Sequence, residues 1–376
     1  ERQEMIQNEE DRDIWITSYD LLKRDIACYE NIRFANQVID EAQYIKNHGT
    51  QAARAVKQVQ TGFRLALTGT PIENRLSELW SIFDYLMPGY LYSYQRFRTE
   101  LEQPIVQHKD EDAAKRLQRL IRPFVLRRLK KEVLQDLPDK LEENLYADMD
   151  GEQQELYDAH VRRMKLMLEE KSDEEIRTDK IEILAELTRL RQLCCDPALL
   201  YDNYKGGSAK TELVRGLIRN AVENGHKVLL FSQFTTMLER LYRILEEEKI
   251  ASHMLTGATP KEKRIEMVES FAHDEVPVFC ISLKAGGTGL NLTAADVVIH
   301  FDPWWNSAVQ NQATDRAHRI GQKNVVNVYR ILAKGTIEEK IVELQERKLQ
   351  LSDRILGGES LQAQGLTREE LLELLR

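Results

Sequence analysis

The chain has few cysteines for its 376 residues: Cys28, Cys194, Cys195 and Cys280. They stand in no CxxC spacing, which excludes a disulfide framework and a structural metal site built on thiolates; reduced thiols of a cytoplasmic protein are expected. No run of about 18 apolar residues occurs, so no membrane-spanning helix is expected. Repeats of fixed period are absent, which excludes a solenoid. An excess of basic residues is absent too. The net charge of −9 gives no bulk attraction to nucleic acid, so any such contact needs a local basic face, backbone amides or helix N-termini. The sequence also lacks GxxxxGK[ST]. Gly206-Gly207-Ser208-Ala209-Lys210-Thr211 imitates it, but Tyr204 and Ala209 stand where the loop needs glycine. That segment reads as a linker entering a helix. The opening ERQEMIQNEEDRD is acidic, resembles no signal peptide and has no initiating Met, which suggests a fragment.

What is present is an ordinary globular balance, 42% hydrophobic and 31% charged, with length for two or three domains. Short apolar runs alternate with amphipathic stretches, the pattern of parallel α/β sheets. In residues 1–75, β-prone runs fall at Ile14–Tyr19, Asn36–Asp40 and Arg64–Leu67. Residues 76–125 are helical, with Leu76, Leu79, Ile82, Phe83 and Leu86 at helical spacing before Pro88-Gly89. Residues 126–150 carry the basic cluster Arg127, Arg128, Lys130 and Lys131 and read as a return to the first lobe. Residues 151–205 predict two long helices interrupted near Lys171–Asp179. A second α/β domain spans 206–350. Its expected strands are Val228–Phe231, His253–Leu255, Val276–Leu283, Asp296–Phe301 and Val325–Ile331. A helix stop is expected at Asn224-Gly225, and capping boxes at Thr259–Glu262 and Thr336–Glu339. A tail at 351–376 reads as a surface helix or a frayed end.

Five constellations carry chemistry, because ligands of such sheets bind beyond the C-terminal strand ends. Asp40 and Glu41 close a strand. Phosphoryl transfer needs one acid for Mg²⁺ and one for the attacking water, although a solvated acidic turn would read alike. Thr68 and Thr70 in LTGTPIEN would bring hydroxyls beside those acids, and Thr70-Pro71 with Glu73 also fits a helix cap. Gly286, Gly287 and Gly289 after Lys284 form a loop that lets amides approach phosphate, or a tight turn. Arg316 and Arg319, three apart, would share a helix face. They suit charge on a γ-phosphate or pairing with Asp315. Trp304 and Trp305 suit stacking on nucleic acid or core packing.

Together these segments resemble the Swi/Snf family of superfamily 2 helicase-like ATPases over nearly the whole chain. ITSYDLLKRD (16–25) is similar to motif Ib, DEAQ (40–43) to motif II and LTGTPIEN (67–74) to motif III. VLLFSQF (228–234) resembles motif IV, ISLKAGGTGLNLTAADVVIHFDPWWN (281–306) motif V, and QATDRAHRIGQ (312–322) motif VI. LRRLKKEVLQDLPDK (126–140) and LRQLCCDP (190–197) are family-typical, and the DEAQ spelling resembles bacterial and archaeal members. The resemblance implies an α/β fold of two RecA-like parallel-sheet lobes, the first incomplete, with helical insertions between them. It implies ATP and Mg²⁺ as cofactors and double-stranded DNA as partner, with nucleoprotein or RNA polymerase complexes as further partners. It assigns Asp40 to Mg²⁺, Glu41 as catalytic base, and Arg316 and Arg319 as arginine fingers. Gln43, Thr68, Thr70, Gly287, Gly289 and Gln312 fall on the nucleotide side. Ser18, Ser232, Gln233, Lys284, Ala285, Gly286 and Trp305 fall on the DNA side. The location implied is cytoplasmic, at the nucleoid in a prokaryote. The family's phosphate loop would lie upstream of motif Ib, so residues 1–376 alone are expected to be inactive, with apolar edges exposed in the first lobe. A non-catalytic DNA-binding scaffold and an RNA-directed or polymerase-associated motor are the alternatives.

Overall fold

The computed structural model describes residues 6, 14–69, 76–108, 110–128, 130–134, 136–286, 290–346 and 368–375. They form two compact units, one of residues up to 126 and one of residues 127–346 with the C-terminal helix.

In the first unit, helix α1 (Tyr19–Asp25) begins at Ser18, whose Oγ accepts from Leu21 N at 3.3 Å. The β-prone run expected at Ile14–Tyr19 is not a strand: residues 14–18 are irregular. A capping serine, Asp20 in the first turn and Lys23 and Arg24 in the last outweigh two isoleucines. Strand β1 (Arg33–Ile39), helix α2 (Gln51–Gln58) and strand β2 (Gln60–Ala66) make one crossover unit. The strands pair in parallel from Arg33↔Gln60 to Ile39↔Ala66. One sheet face packs Ile39 against Ala42, Ile45, Val56 and Tyr85. The other shows Val38, Phe63 and Leu65 to solvent, 57%, 60% and 42% exposed, so the apolar exposure expected in this lobe lies on a face. Helix α3 (Leu76–Leu86) serves two cores. Ile82 and Tyr85 join the sheet, while Leu79, Trp80 and Phe83 join Leu101, Ile105 and Leu117, the last from helix α4 (Glu111–Ile121).

The second unit is a six-stranded parallel sheet whose strands, in order across it, cover Lys140–Ala147, Val326–Ala333, Val297–His300, Val228–Ser232, Val278–Ser282 and Ser252–Leu255. Strand β3 (Lys140–Ala147) is an edge of this sheet, paired residue for residue with β8 (Val326–Ala333). The segment 126–150 is therefore not a return to the first lobe. Strand β8 has an edge to satisfy, and an eight-residue partner does so wherever it lies in the chain. Helices α5 (Gly151–Glu170) and α6 (Lys180–Cys195) flank a short helical turn at Asp173–Thr178, capped reciprocally by Ser172 and Glu175. This matches the break expected near Lys171. Helix α7 (Ala209–Glu223) starts at the Ser208 cap, and Gly225 closes it with φ +78°, His226 N reaching Ala221 O at 3.0 Å.

Strand β4 (Val228–Ser232), helix α8 (Thr235–Glu247), strand β5 (Ser252–Leu255), helix α9 (Lys261–His273), strand β6 (Val278–Ser282) and strand β7 (Val297–His300) follow. β4, β6 and β7 are buried at every position, as central parallel strands are. The box expected at Thr259 does not form, because Thr259 Oγ1 accepts from Thr256 N and gives α9 no cap. Helix α10 (Ser307–Thr314) precedes β8, and helix α11 covers 337–346. The last helix, α12 (Arg368–Leu374), is not a surface tail: Leu371, Leu374 and Leu375 are buried with Met164, Leu187 and Ile341.

Candidate functional sites at the strand ends

In the first unit the chemistry gathers where β1 and β2 end together. Leu67 N donates to Ile39 O at 2.8 Å and Ala42 N to Leu67 O at 2.9 Å, so the two strand ends are stitched beyond the ladder. Asp40 is exposed, and its Oδ1 accepts from Glu41 N at 2.8 Å. Glu41 sits at φ 51°, ψ 53°, a left-handed backbone that costs an L-residue roughly 1–2 kcal/mol. From there Glu41 Oε2 accepts from Gln43 Nε2 at 2.6 Å, and Gln43 Oε1 accepts from Thr68 Oγ1 at 2.8 Å. The structure thus brings four expected site residues into one relay, Asp40, Glu41, Gln43 and Thr68.

Tyr19, not anticipated, donates its hydroxyl to Asp40 O at 2.7 Å and stacks on Tyr44 at 5.4 Å. Burial, with Asp40 and Glu41 adding to it, pushes the phenol up to about 12, so it remains a donor. Thr70 lies outside the described residues. Mg²⁺ takes oxygen ligands, keeps several waters and needs only one or two protein carboxylates, so the exposed Asp40 beside Glu41 and a threonine hydroxyl is a fitting donor set. Among the described residues no cluster of three or more His, Cys, Asp or Glu could hold a metal by itself.

In the second unit the ends of the neighbouring strands β4 and β7 carry the polar cluster. Asp302 is fully buried and accepts from the Ser232 hydroxyl and from Gln233 N at 3.3 Å. Burial pushes its carboxyl up, against the lowering effect of Arg191 and Lys210. Ser232 is therefore not a side chain that reaches DNA; it is fully buried and its hydroxyl is spent on Asp302. Gln233 is half-buried, and its Nε2 has no partner. Trp305 is half-buried against the α5/α6 core, with the Arg191 guanidinium 5.5 Å from its ring centre. Trp304 packs on the sheet core instead.

Lys284, Ala285 and Gly286 belong to a short helical turn, Leu283–Gly286, directly after β6, and Ala285 is buried. Gly287 and Gly289 lie outside the described residues. Gln312 is half-buried on α10. Arg316 and Arg319 do not share a helix face. α10 ends at Thr314, and the arginines ride on the following turn, Arg316 half-buried and Arg319 exposed. Thr314 Oγ1 donates to Gln310 O and accepts from His300 Nε2, and the turn closes through Ala317 N to Thr314 O.

Several supporting residues escape sequence reasoning. Lys210, in the false phosphate loop, is fully buried and pairs with Glu338 at 2.8 and 2.9 Å. A lysine and a glutamate inside otherwise apolar helix faces are the available signal. Arg191 donates to Pro303 O, and Gln345 to Trp304 O, so the DPWW loop is held from two helices.

Residues 2–199 match the family model described as the SNF2-related domain, and residues 209–321 match the helicase conserved C-terminal domain. The chain is 40% identical over 366 residues to an uncharacterized ATP-dependent helicase of Mycoplasma pneumoniae, covering 96% of this chain and 34% of that protein. It thus spans about a third of that relative's length. The SWI2/SNF2 ATPase core of Sulfolobus solfataricus, solved with double-stranded DNA, is 37% identical with TM-score 0.50, covering 93% of this chain and 74% of that one. The same core solved as the ATPase domain gives 36% and 0.52, with 97% and 77% covered. Two family models in order and these relatives show that the chain belongs to the SWI2/SNF2 family of helicase-like ATPases.

Proposed function

We propose that the parent protein is an ATP-dependent motor that translocates on double-stranded DNA. The observation that carries the reading is the Glu41–Gln43–Thr68 relay at the joined ends of β1 and β2. A general base must be held in one orientation to take a proton from water. Gln43 orients the Glu41 carboxylate, and Thr68 orients Gln43. Asp40, one residue earlier and exposed, is the group for Mg²⁺, which supplies charge neutralisation at the phosphates when bound. Arg316 and Arg319 are the cations that would stabilise transition-state charge on the transferred phosphoryl group. Gln312, Thr70, Gly287 and Gly289 keep their nucleotide-side assignment by motif. Double-stranded DNA as partner is supported by the Sulfolobus complex. Ser18, Gln233, Lys284–Gly286 and Trp305 remain the proposed contacts, with Ser232 supporting the loop from beneath.

The test is steady-state ATP hydrolysis by the full-length protein with and without duplex DNA. Glu41→Gln keeps the Gln43 contact in shape but removes the base, and turnover should fall on the order of 10³-fold. Turnover at the parent rate removes Glu41 from the mechanism. A preference for duplex RNA over duplex DNA in salt-controlled binding would favour an RNA-directed motor instead. We further propose that residues 1–376 alone turn over no ATP, because they contain no phosphate-loop lysine; phosphate release at the parent rate overturns this.

A further inference from the structure

The basic cluster after residue 126 is not used by the function proposed above. Lys130 begins a short helix, Lys130–Val133, in the segment leading to β3. Its ammonium reaches the arginine turn, donating to Asp315 Oδ1 at 2.9 Å and to the His318 carbonyl. His318 answers from the turn, with Nε2 2.7 Å from Pro138 O. Asp315 precedes Arg316 and His318 precedes Arg319, so both arginines are flanked by residues tied to the segment 130–138. The remaining carbonyls of the turn are held from elsewhere. Arg316 O accepts from Leu292 N at 3.0 Å, Ala317 O from Gln322 Nε2 at 3.1 Å and Arg319 O from Gln322 N at 3.0 Å. Every carbonyl from 316 to 319 thus has a donor. Lys130 is the donor that also occupies a carboxylate, and it comes from a segment remote in sequence.

We infer that Lys130 is a positioning residue for the arginine turn: it fixes the turn's backbone at His318 and holds the Asp315 carboxylate. The inference rests on the arginine assignment made above. Its physical basis is twofold. A transition-state cation must be placed to within about 0.5 Å, which loose supports do not achieve. A carboxylate next in sequence to Arg316 would also cancel part of its charge if released. The pair itself is half-exposed, with side chains 33% and 48% accessible, so its removal should cost little stability.

The experiment uses the full-length protein and four variants, Lys130→Met, Lys130→Arg, Asp315→Asn and the double variant of Lys130→Met with Asp315→Asn. With saturating duplex DNA, Lys130→Met should lower kcat roughly 10-fold with KM for ATP nearly unchanged, a tenth of what about 1 Å of misplacement can cost. Asp315→Asn added to Lys130→Met should restore part of that loss, since the released carboxylate is then gone while the His318 carbonyl stays unheld. Lys130→Arg should remain near the parent. A purely structural role would lower the melting temperature and would not be rescued by Asp315→Asn. Parental kcat for Lys130→Met, or no rescue in the double variant, overturns the inference. Hydrogen exchange at 315–319 provides a readout independent of ATP turnover. Lys130→Met should speed exchange there while β7 and β4 stay protected, and unchanged exchange also overturns it. If the parent protein shows no DNA-stimulated turnover, the motor reading fails, and the exchange result still decides whether Lys130 holds the turn.

Discussion

Acid should weaken the second unit through one histidine, and the size of the effect follows from its surroundings. His300 ends β7, is 1% exposed, and stacks on Phe231 with ring centres 5.4 Å apart. Its Nε2 lies 2.8 Å from Thr314 Oγ1, and Thr314 gives its own hydroxyl hydrogen to Gln310 O. That assigns the proton to Nε2 and leaves Nδ1 as an acceptor with no partner. Burial lowers the imidazole from 6.5 to about 3, with the charges of Arg330 and Lys140 contributing less. The folded state therefore keeps His300 neutral where the unfolded chain binds a proton. Stability from this group is complete above pH 6.5 and falls as pH drops towards 3. The slope is about 1.4 kcal/mol per pH unit, hence about 2 kcal/mol between pH 6.5 and 5. The variant His300→Gln keeps an amide that can donate near Thr314 but cannot be protonated. Urea unfolding, followed by hydrogen exchange in β7 and β4, should give the parent an extra loss of about 2 kcal/mol over that interval relative to His300→Gln. Equal pH slopes for the two proteins would refute the reasoning, whatever the variant's stability at neutral pH.

Other perturbations separate catalysis from packing. Arg316→Ala or Arg319→Ala should each reduce DNA-stimulated ATP turnover on the order of 10³-fold, read by phosphate release, while leaving the melting profile nearly unchanged. Glu41→Gly should abolish turnover yet raise the stability of the first unit by about 1 kcal/mol in chemical unfolding, because glycine adopts φ 51° without the steric cost. Lys210→Met should cost about 3–5 kcal/mol, since Glu338 would be left charged in a fully buried site. Adding Glu338→Leu should recover most of it, and a double variant no better than the single would show that the pair matters for more than charge.

The elements legible in the sequence are those written in local code. The paired helices α5 and α6, the break between them and the Gly225 stop follow from periodicity, a run of charges and a residue that accepts φ +78°. The central strands are legible because β4, β6 and β7 are apolar at nearly every position. Non-local pairing is not legible: nothing in Lys140–Ala147 says that its partner begins at Val326, and proximity in the chain points to the wrong lobe. For the site, motif spacing locates Asp40, Glu41 and Thr68. The roles of Tyr19 and Gln43 depend on which strand ends meet, which spacing leaves open. Ser232 misleads for a related reason. A serine at a strand end beyond four apolar residues looks solvent-facing until Asp302, 70 residues later, is known to lie beside it.

The two sites differ in how they are held, and the difference bears on what each can do. At the end of β1 the acids are exposed or half-buried and are oriented by neutral groups, Gln43, Thr68 and Tyr19. Their charge remains available to a cation or a water. At the end of β7 the charges lie inside: Arg191, Lys210, Asp302 and Glu338 are buried together beneath the DPWW loop. Buried charges that already serve one another are poor ligands but specific constraints, since any shift of the loop must separate ions in a low-dielectric interior. Arg191 grips Pro303 O, Gln345 grips Trp304 O and Asp302 anchors Ser232 and Gln233, so the loop is fixed to three elements at once. Lys130 and His318 do the same at the arginine turn. Within the second unit, the DPWW loop and the arginine turn are thus each tied to the frame, and α10 joins the end of one directly to the start of the other.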